Sequence, residues 1–258
     1  NRPHAAAAFG RRGVMDARDR LVVGIDVGGV AQAETLIARL AGTVSTVKVG
    51  KQLFVAGGPE FVRRLVAGRL RVFLDLKFHD IPNTVAGATR EAVKLGVSFL
   101  DLHASGGRAM MRAARDAAEE EAARCGGARP LLLGVTVLTS LDGKALAETG
   151  VEESVEERVT RLAGLAQESG LDGVVASPRE VGAVRKRCGA DFLIVTPGIR
   201  SKADAADDQR RTLSAAEAIE AGADYLVVGR PVIGAADPAA AARRLIAEID
   251  GASRRKSA

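Results

Sequence analysis

The sequence predicts an α/β protein, a single closed (β/α)8 barrel of the TIM type with its site at the C-terminal ends of the strands. Three observations lead there. Short β-branched runs alternate with longer stretches whose apolar residues recur at helical spacing. Eight such runs follow one another along the chain. Each is a nearly continuous hydrophobic stretch, as parallel strands covered on both faces must be.

The first run, LVVGID (21–26), precedes Ala33, Leu36, Ile37 and Leu40, which fall at i, i+3, i+4 and i+7 on one helix face. VSTVKV (44–49) comes next, followed by the stripe Phe61, Val62, Leu65 and Val66, which Gly68 ends. RVFLDLK (71–77), VSFLDLH (97–103) and LLLGVTVL (131–138) supply strands three to five. DGVVAS (172–177), DFLIVT (191–196) and DYLVVG (224–229) supply the last three, and a helix around Leu245, Ile246 and Ile249 closes the ring. Eight strand–helix pairs in about 230 residues, with no linker between them, favour a closed barrel over an open doubly wound sheet. The expected organisation is an N-terminal extension over 1–20, a barrel over 21–250 and a basic tail over 251–258. Residues 1–14 are set aside from the fold because Met15 directly precedes the first patterned segment.

Composition removes several function classes. Of the 258 residues 47% are hydrophobic and 27% charged, which fits a globular domain and neither a disordered nor a collagen-like chain. Aromatic residues make up 3%, with no Trp and one Tyr, Tyr225, too few for base-stacking platforms or aromatic sugar grooves. The net charge of +5 lies at the ends: residues 1–20 carry +3 and the tail another +3, which leaves 21–250 at −1. A near-neutral body offers no cationic face, so no nucleic-acid partner is expected. Two cysteines without CxxC spacing indicate neither a disulfide framework nor a zinc site, and point to the cytoplasm. No apolar run approaches the roughly 18 residues that a membrane span needs.

In such a barrel the chemistry sits where strands end and βα loops begin. Strand one ends in Asp26, strand two carries Lys48 near its end, and strand three ends in Asp75, Leu76 and Lys77, followed by His79 and Asp80. Residues two apart share a face, so Asp75 and Lys77 both point into the barrel mouth and an Asp-Lys-Asp-Lys array assembles there with Asp26 and Lys48. Buried charges of this kind must pair with one another, and their proton affinities are perturbed. Strand eight ends in Gly229 and Arg230, and strand seven runs into Pro197, Gly198 and Arg200; both loops suit an anion, with backbone N–H groups and an Arg fork for phosphate. The polar stretch SKADAADDQRRT (201–212), with Gln209 in it, is long enough to form a lid. His79 and His103 also lie at strand ends, but no HExxH, GxSxG or carboxylate metal set accompanies them, so no metal is expected. HASGG (103–107) could bind an anion at a helix start or serve only a tight turn.

With these residues laid out, the sequence resembles the orotidine 5′-phosphate decarboxylase family. DLKFHDIPNT (75–84) is similar to the family's catalytic segment, and VKVG (47–50), HASGG, VTVLTS (135–140), DGVV (172–175), VTPGIR (195–200), DDQRR (207–211) and YLVVGRP (225–231) follow in family order. The resemblance covers residue 21 to about residue 249 and implies conversion of orotidine 5′-phosphate to UMP and CO2 without a cofactor. It implies that Asp26 and Lys48 hold the ribose, that Asp75 faces the substrate carboxylate, and that Lys77 is the general acid. It also implies a homodimer in which Asp80, completing the charge array, and Thr84 reach the partner's site. Thr139 and Ser140 match the pyrimidine-contacting segment, Pro197 would lie close to the ring, and Arg200, Gln209, Gly229 and Arg230 match phosphate-binding positions. Two departures are mild: GIDVGG stands where relatives often have ALDV, and Asp207 stands where Gly is usual. Metal-dependent relatives with a DxKxxD pattern, 3-keto-L-gulonate 6-phosphate decarboxylase and hexulose-phosphate synthase, place a Glu on strand two; Lys48 near the end of that strand argues against an Mg2+ site.

Overall fold

The computed structural model describes residues 15–199 and 213–257. Eight parallel strands form one closed barrel in sequence order: β1 (Leu21–Gly24), β2 (Thr46–Gly50), β3 (Arg71–Phe78), β4 (Phe99–His103), β5 (Leu131–Val135), β6 (Gly173–Val175), β7 (Leu193–Thr196) and β8 (Tyr225–Val228). Closure is direct, since β1 pairs with β8 through Val22 and Val227. All eight predicted runs are strands, trimmed at their ends because hydrogen-bonded pairing stops before the apolar run does.

Helices α1 (Ala17–Arg20), α2 (Val30–Leu40), α3 (Lys51–Ala67), α4 (Pro82–Lys94), α5 (Gly107–Cys125) and α6 (Gly143–Ala147) come first along the chain. Helices α7 (Val155–Glu168), α8 (Val181–Cys188), α9 (Ala215–Ala221), α10 (Arg230–Ile233) and α11 (Pro238–Ser257) complete the described set. The predicted stripes face the barrel: Ala33, Leu36 and Leu40 on α2, Phe61, Val62 and Leu65 on α3, and Ile249 on α11 are buried. Helix α3 begins at Lys51, immediately after β2, and kinks at Gly58, whose φ of 62° is open to glycine, before Pro59 starts the stretch that the apolar stripe marks.

Described residues on either side of 21–250 also pack against the barrel. Asp16 caps α1, Ala17 is buried, and Asp19 accepts from Arg71 at 2.5 Å and from Ser45 at 3.0 Å beneath the barrel. Helix α11 runs through residue 250, with Ala252 fully buried. Burial of that apolar face carries helix into the segment whose charges alone suggested a tail.

The core has two layers. One lies between strands and helices; the other fills the barrel with Val22, Phe73, Phe99, Leu133, Val195, Tyr225 and Val227. Phe99 sits edge-on to Tyr225 with ring centroids 5.1 Å apart and 5.9 Å from Phe73. This largely apolar plug fills the barrel below the layer of charged side chains.

Candidate active site

Directly above the plug, alternation along β1, β2, β3 and β4 turns charged side chains inward. Lys48 on β2 donates to Asp26 at 3.0 Å and pairs with Asp75 of β3 at 3.1 Å. Asp75 is hydrogen bonded in turn to the Lys77 ammonium. The row therefore reads Asp26, Lys48, Asp75, Lys77, with opposite charges alternating across three neighbouring strands. Exposure falls from 55% at Asp26 to 11% at Lys48 and Asp75, so the inner members are held in a low-dielectric setting where pairing is strong.

Backbone makes room for this row. A Cβ on Gly24 would lie 3.0 Å from an Asp26 carboxylate oxygen and 3.2 Å from Lys48 Cε. One on Gly50 would lie 3.1 Å from Lys48 Nζ. Glycine at both positions lets the Asp26–Lys48 pair lie against the strands, a role the sequence reading did not assign to either.

The row is joined by a residue that reading also missed. Asp101 of β4 is 1% exposed, accepts the Lys77 backbone N–H at 2.8 Å, and has its other carboxyl oxygen 4.0 Å from the Lys77 ammonium. Its carboxyl also lies beside that of Asp75. The sign that could have found it is the one that found Asp75 and Lys77: a charge at even spacing from Phe99 and His103 inside an apolar run.

The proton affinities follow from these contacts. Burial favours neutral Asp75, but the Lys48 and Lys77 ammoniums outweigh it and hold the carboxyl well below the usual carboxylate range. Burial pushes Asp101 up, the neighbouring Asp75 charge pushes it further, and its pKa stands well above the ordinary aspartate value. Lys48 loses solvation on burial, yet Asp75 and Asp26 raise its pKa above that of an ordinary lysine. The His103 ring stacks 5.4 Å from that of His79; burial first, then His79, Lys77 and Lys51, lower its pKa to about 4, so it is neutral at pH 7.

Other predicted residues fall around this centre. Gly229 caps α10 at the end of β8, and a Cβ there would be 3.5 Å from Asp26, so the expected phosphate loop with Arg230 adjoins the charge row. Thr139, in the turn after β5, and Pro197, just past β7, are half-buried. Asp80 is not brought to the row of its own chain: β3 ends at Phe78, the chain turns outward, and the Asp80 carboxylate accepts the Ile81 N–H at 2.7 Å. Asp80 and Thr84 are exposed, as is Ile81 at 66%. Arg200, Gln209 and the expected lid over 201–212 lie outside the described residues.

Comparison with known proteins gives one answer by several routes. A family model described as Orotidine 5′-phosphate decarboxylase / HUMPS family matches residues 19–245. Orotidine 5′-phosphate decarboxylase of Moorella thermoacetica is 53% identical over 237 residues, 92% of this chain and 94% of the relative. The enzyme of the same name from Syntrophotalea carbinolica is 52% identical, over 93% of this chain and 98% of the relative. Among solved structures, orotidine 5′-phosphate decarboxylase from Lactobacillus acidophilus superposes with a TM-score of 0.81 at 36% identity, covering 90% of this chain and 99% of that one. An uncharacterized conserved protein from Geobacillus kaustophilus gives a TM-score of 0.79 at 38% identity, over 89% and 99%.

Proposed function

Because the chain belongs to the orotidine 5′-phosphate decarboxylase / HUMPS family, we propose that it is a carboxy-lyase that converts orotidine 5′-phosphate to UMP and CO2 in pyrimidine biosynthesis, with Lys77 as general acid. The observation that carries this reading is the alternating row Asp26, Lys48, Asp75, Lys77 at the barrel mouth.

The reaction explains why such a row is needed. Loss of CO2 from C6 leaves an electron pair in the plane of the pyrimidine ring, where the π system cannot spread it. Stabilisation must come from a fixed positive charge beside C6, and an ammonium can both stabilise the developing carbanion and protonate it. Lys77 is suited to both roles because Asp75 and Asp101 fix it from two sides. Asp75, kept ionised by two lysines, faces the substrate carboxylate and favours its departure while orienting Lys77. Lys48 and Asp26 hold the ribose, and Lys48, already bridging two carboxylates, keeps that pair from serving as a site for Mg2+. No cofactor takes part in this scheme.

Rate enhancements of up to about 17 orders of magnitude, roughly 23 kcal/mol, exceed what one ammonium supplies. Binding energy from the remote phosphate, through Gly229, Arg230, Arg200 and Gln209, makes up part of the rest, with Thr139 and Pro197 against the pyrimidine. The exposed edge of Asp80, Ile81 and Thr84 supports a homodimer in which Asp80 and Thr84 complete the partner's site. Among the described residues no helix is long and apolar enough to cross a membrane, and both cysteines are free, which supports a cytoplasmic enzyme.

The test is loss of the near-UV orotate absorbance on adding orotidine 5′-phosphate, in excess EDTA, with Lys77→Ala alongside. The expected result is turnover that survives EDTA and vanishes in the variant. Folded wild-type protein without turnover, or Lys77→Ala at the wild-type rate, refutes the assignment.

A further inference from the structure

The end of β3 is not a regular strand. Leu74 is in register with Leu100 of β4, whereas Phe78 is in register with Leu102, so four residues of β3 span two of β4. Asp75 and Lys77 both lie in this slack, and Lys77 takes a φ of 51°, a left-handed conformation that a side chain with a Cβ rarely adopts. Such a conformation persists only where its surroundings fix it.

Asp101 does the fixing. The Lys77 N–H, which the irregularity frees from the ladder, donates to Asp101 at 2.8 Å, and the same carboxyl lies 4.0 Å from the Lys77 ammonium and beside Asp75. One wholly buried group thus adjoins Lys77, at its main chain and its ammonium, and Asp75. We propose that Asp101 is a positioning residue for the decarboxylation: it clamps the Lys77 main chain in its left-handed turn, tethers Asp75, and so sets where the ammonium meets C6. This inference rests on the reading of Lys77 as the proton donor. The chemistry of the pair agrees with it, because two touching carboxyls do not both ionise. The two ammoniums beside Asp75 favour the charge there, while burial and the Asp75 charge push Asp101 toward the neutral acid, which keeps an oxygen for the Lys77 N–H.

A neutral acid has a close mimic in asparagine, whose amide offers one acceptor and a donor in the same plane. Asp101→Asn is therefore expected to keep kcat within about tenfold of wild type. Asp101→Ala, shown folded by circular dichroism, is expected to lose about 100-fold in kcat, the scale of a misplaced reacting group, with KM and the affinity for UMP little changed. A residue that only knits β3 to β4 would lower stability without this split between kcat and KM and without rescue by asparagine. The inference is overturned by wild-type kcat in Asp101→Ala, by a loss that falls on KM and UMP affinity, or by Asp101→Asn as inactive as Asp101→Ala. Should the alanine variant not fold, Asp101→Ser is held to the same criteria, and the asparagine result decides by itself if kcat collapses. Wild-type protein without turnover overturns the decarboxylase reading and this inference together, a result distinct from active wild type with indifferent variants.

Discussion

Histidine 103 couples the charge at the barrel mouth to the stability of the whole fold. In the unfolded chain its pKa is the ordinary 6.5; in the fold, burial first and then the neighbours His79, Lys77 and Lys51 bring it to about 4, against an opposing pull from Asp75. The folded pKa is the lower one, so between the two values the unfolded chain takes up a proton that the folded chain does not. Stability therefore falls as pH drops through this window and levels off on either side. A gap of 2.5 pH units corresponds to about 3.4 kcal/mol, and the partial exposure of the ring cuts this to about 2 kcal/mol through solvent screening. The measurement is urea unfolding of wild type and His103→Asn at one protein concentration, from about pH 7.5 to about pH 4.5. Carboxylate titrations common to both proteins cancel in the difference. The wild type is expected to lose about 2 kcal/mol more than the variant across this range, most of it below pH 6.5. Parallel curves, or a wild type that gains on the variant toward acid, would refute the description of the mouth as hostile to a further positive charge.

Three more expectations follow from named contacts. Asp101 has a raised folded pKa, so its stabilising effect is present below the unfolded value of 3.8 and is lost as pH rises; Asp101→Asn should gain on wild type by up to about 1.4 kcal/mol per pH unit above that point, read by urea midpoints. Arg230→Ala should lower kcat/KM by about 2–4 kcal/mol, as expected where a charge-assisted grip on phosphate is lost, and unchanged steady-state kinetics would remove Arg230 from that role. Arg185 donates to the carbonyls of Gly189, Ala190, Phe192 and Gly222 and pairs with Asp224 at 2.8 Å, all at the N-terminal end of the barrel. Arg185→Ala should cost about 3 kcal/mol in urea unfolding yet leave kcat unaltered, and a selective loss of kcat would contradict this division between the two ends.

The barrel was legible because its strands are buried on both faces and read as unbroken apolar runs, and because the helical stripes between them keep their period. The charge row was legible for a related reason: Asp26, Lys48, Asp75 and Lys77 interrupt apolar runs at their C-terminal ends, where a barrel keeps its site. What was not legible depends on pairing between strands. The slack at the end of β3 comes from its register against β4, and nothing local to DLKF announces that Lys77 will turn left-handed. Asp101 was passed over because it lies inside its run, one residue pair before the strand end, so it reads as strand body until its neighbour across the ladder is known.

These two cases share a physical cause that bears on how the site works. A regular strand would place Asp75 and Lys77 at fixed even spacing along one face, with the ammonium directed by its own rotamers alone. The end of β3 is instead irregular, and there the Lys77 ammonium bonds Asp75 while its main chain turns left-handed. That geometry gives up regular ladder bonding along β3, and the lost bond of Lys77 is recovered from Asp101 rather than from backbone. A side chain can make that bond in a way backbone cannot, because it also reaches Asp75 and the ammonium. The local departure from ideal strand structure and the buried carboxyl are thus one arrangement, in which a distortion costly to the fold is held by the group that organises the charges for chemistry.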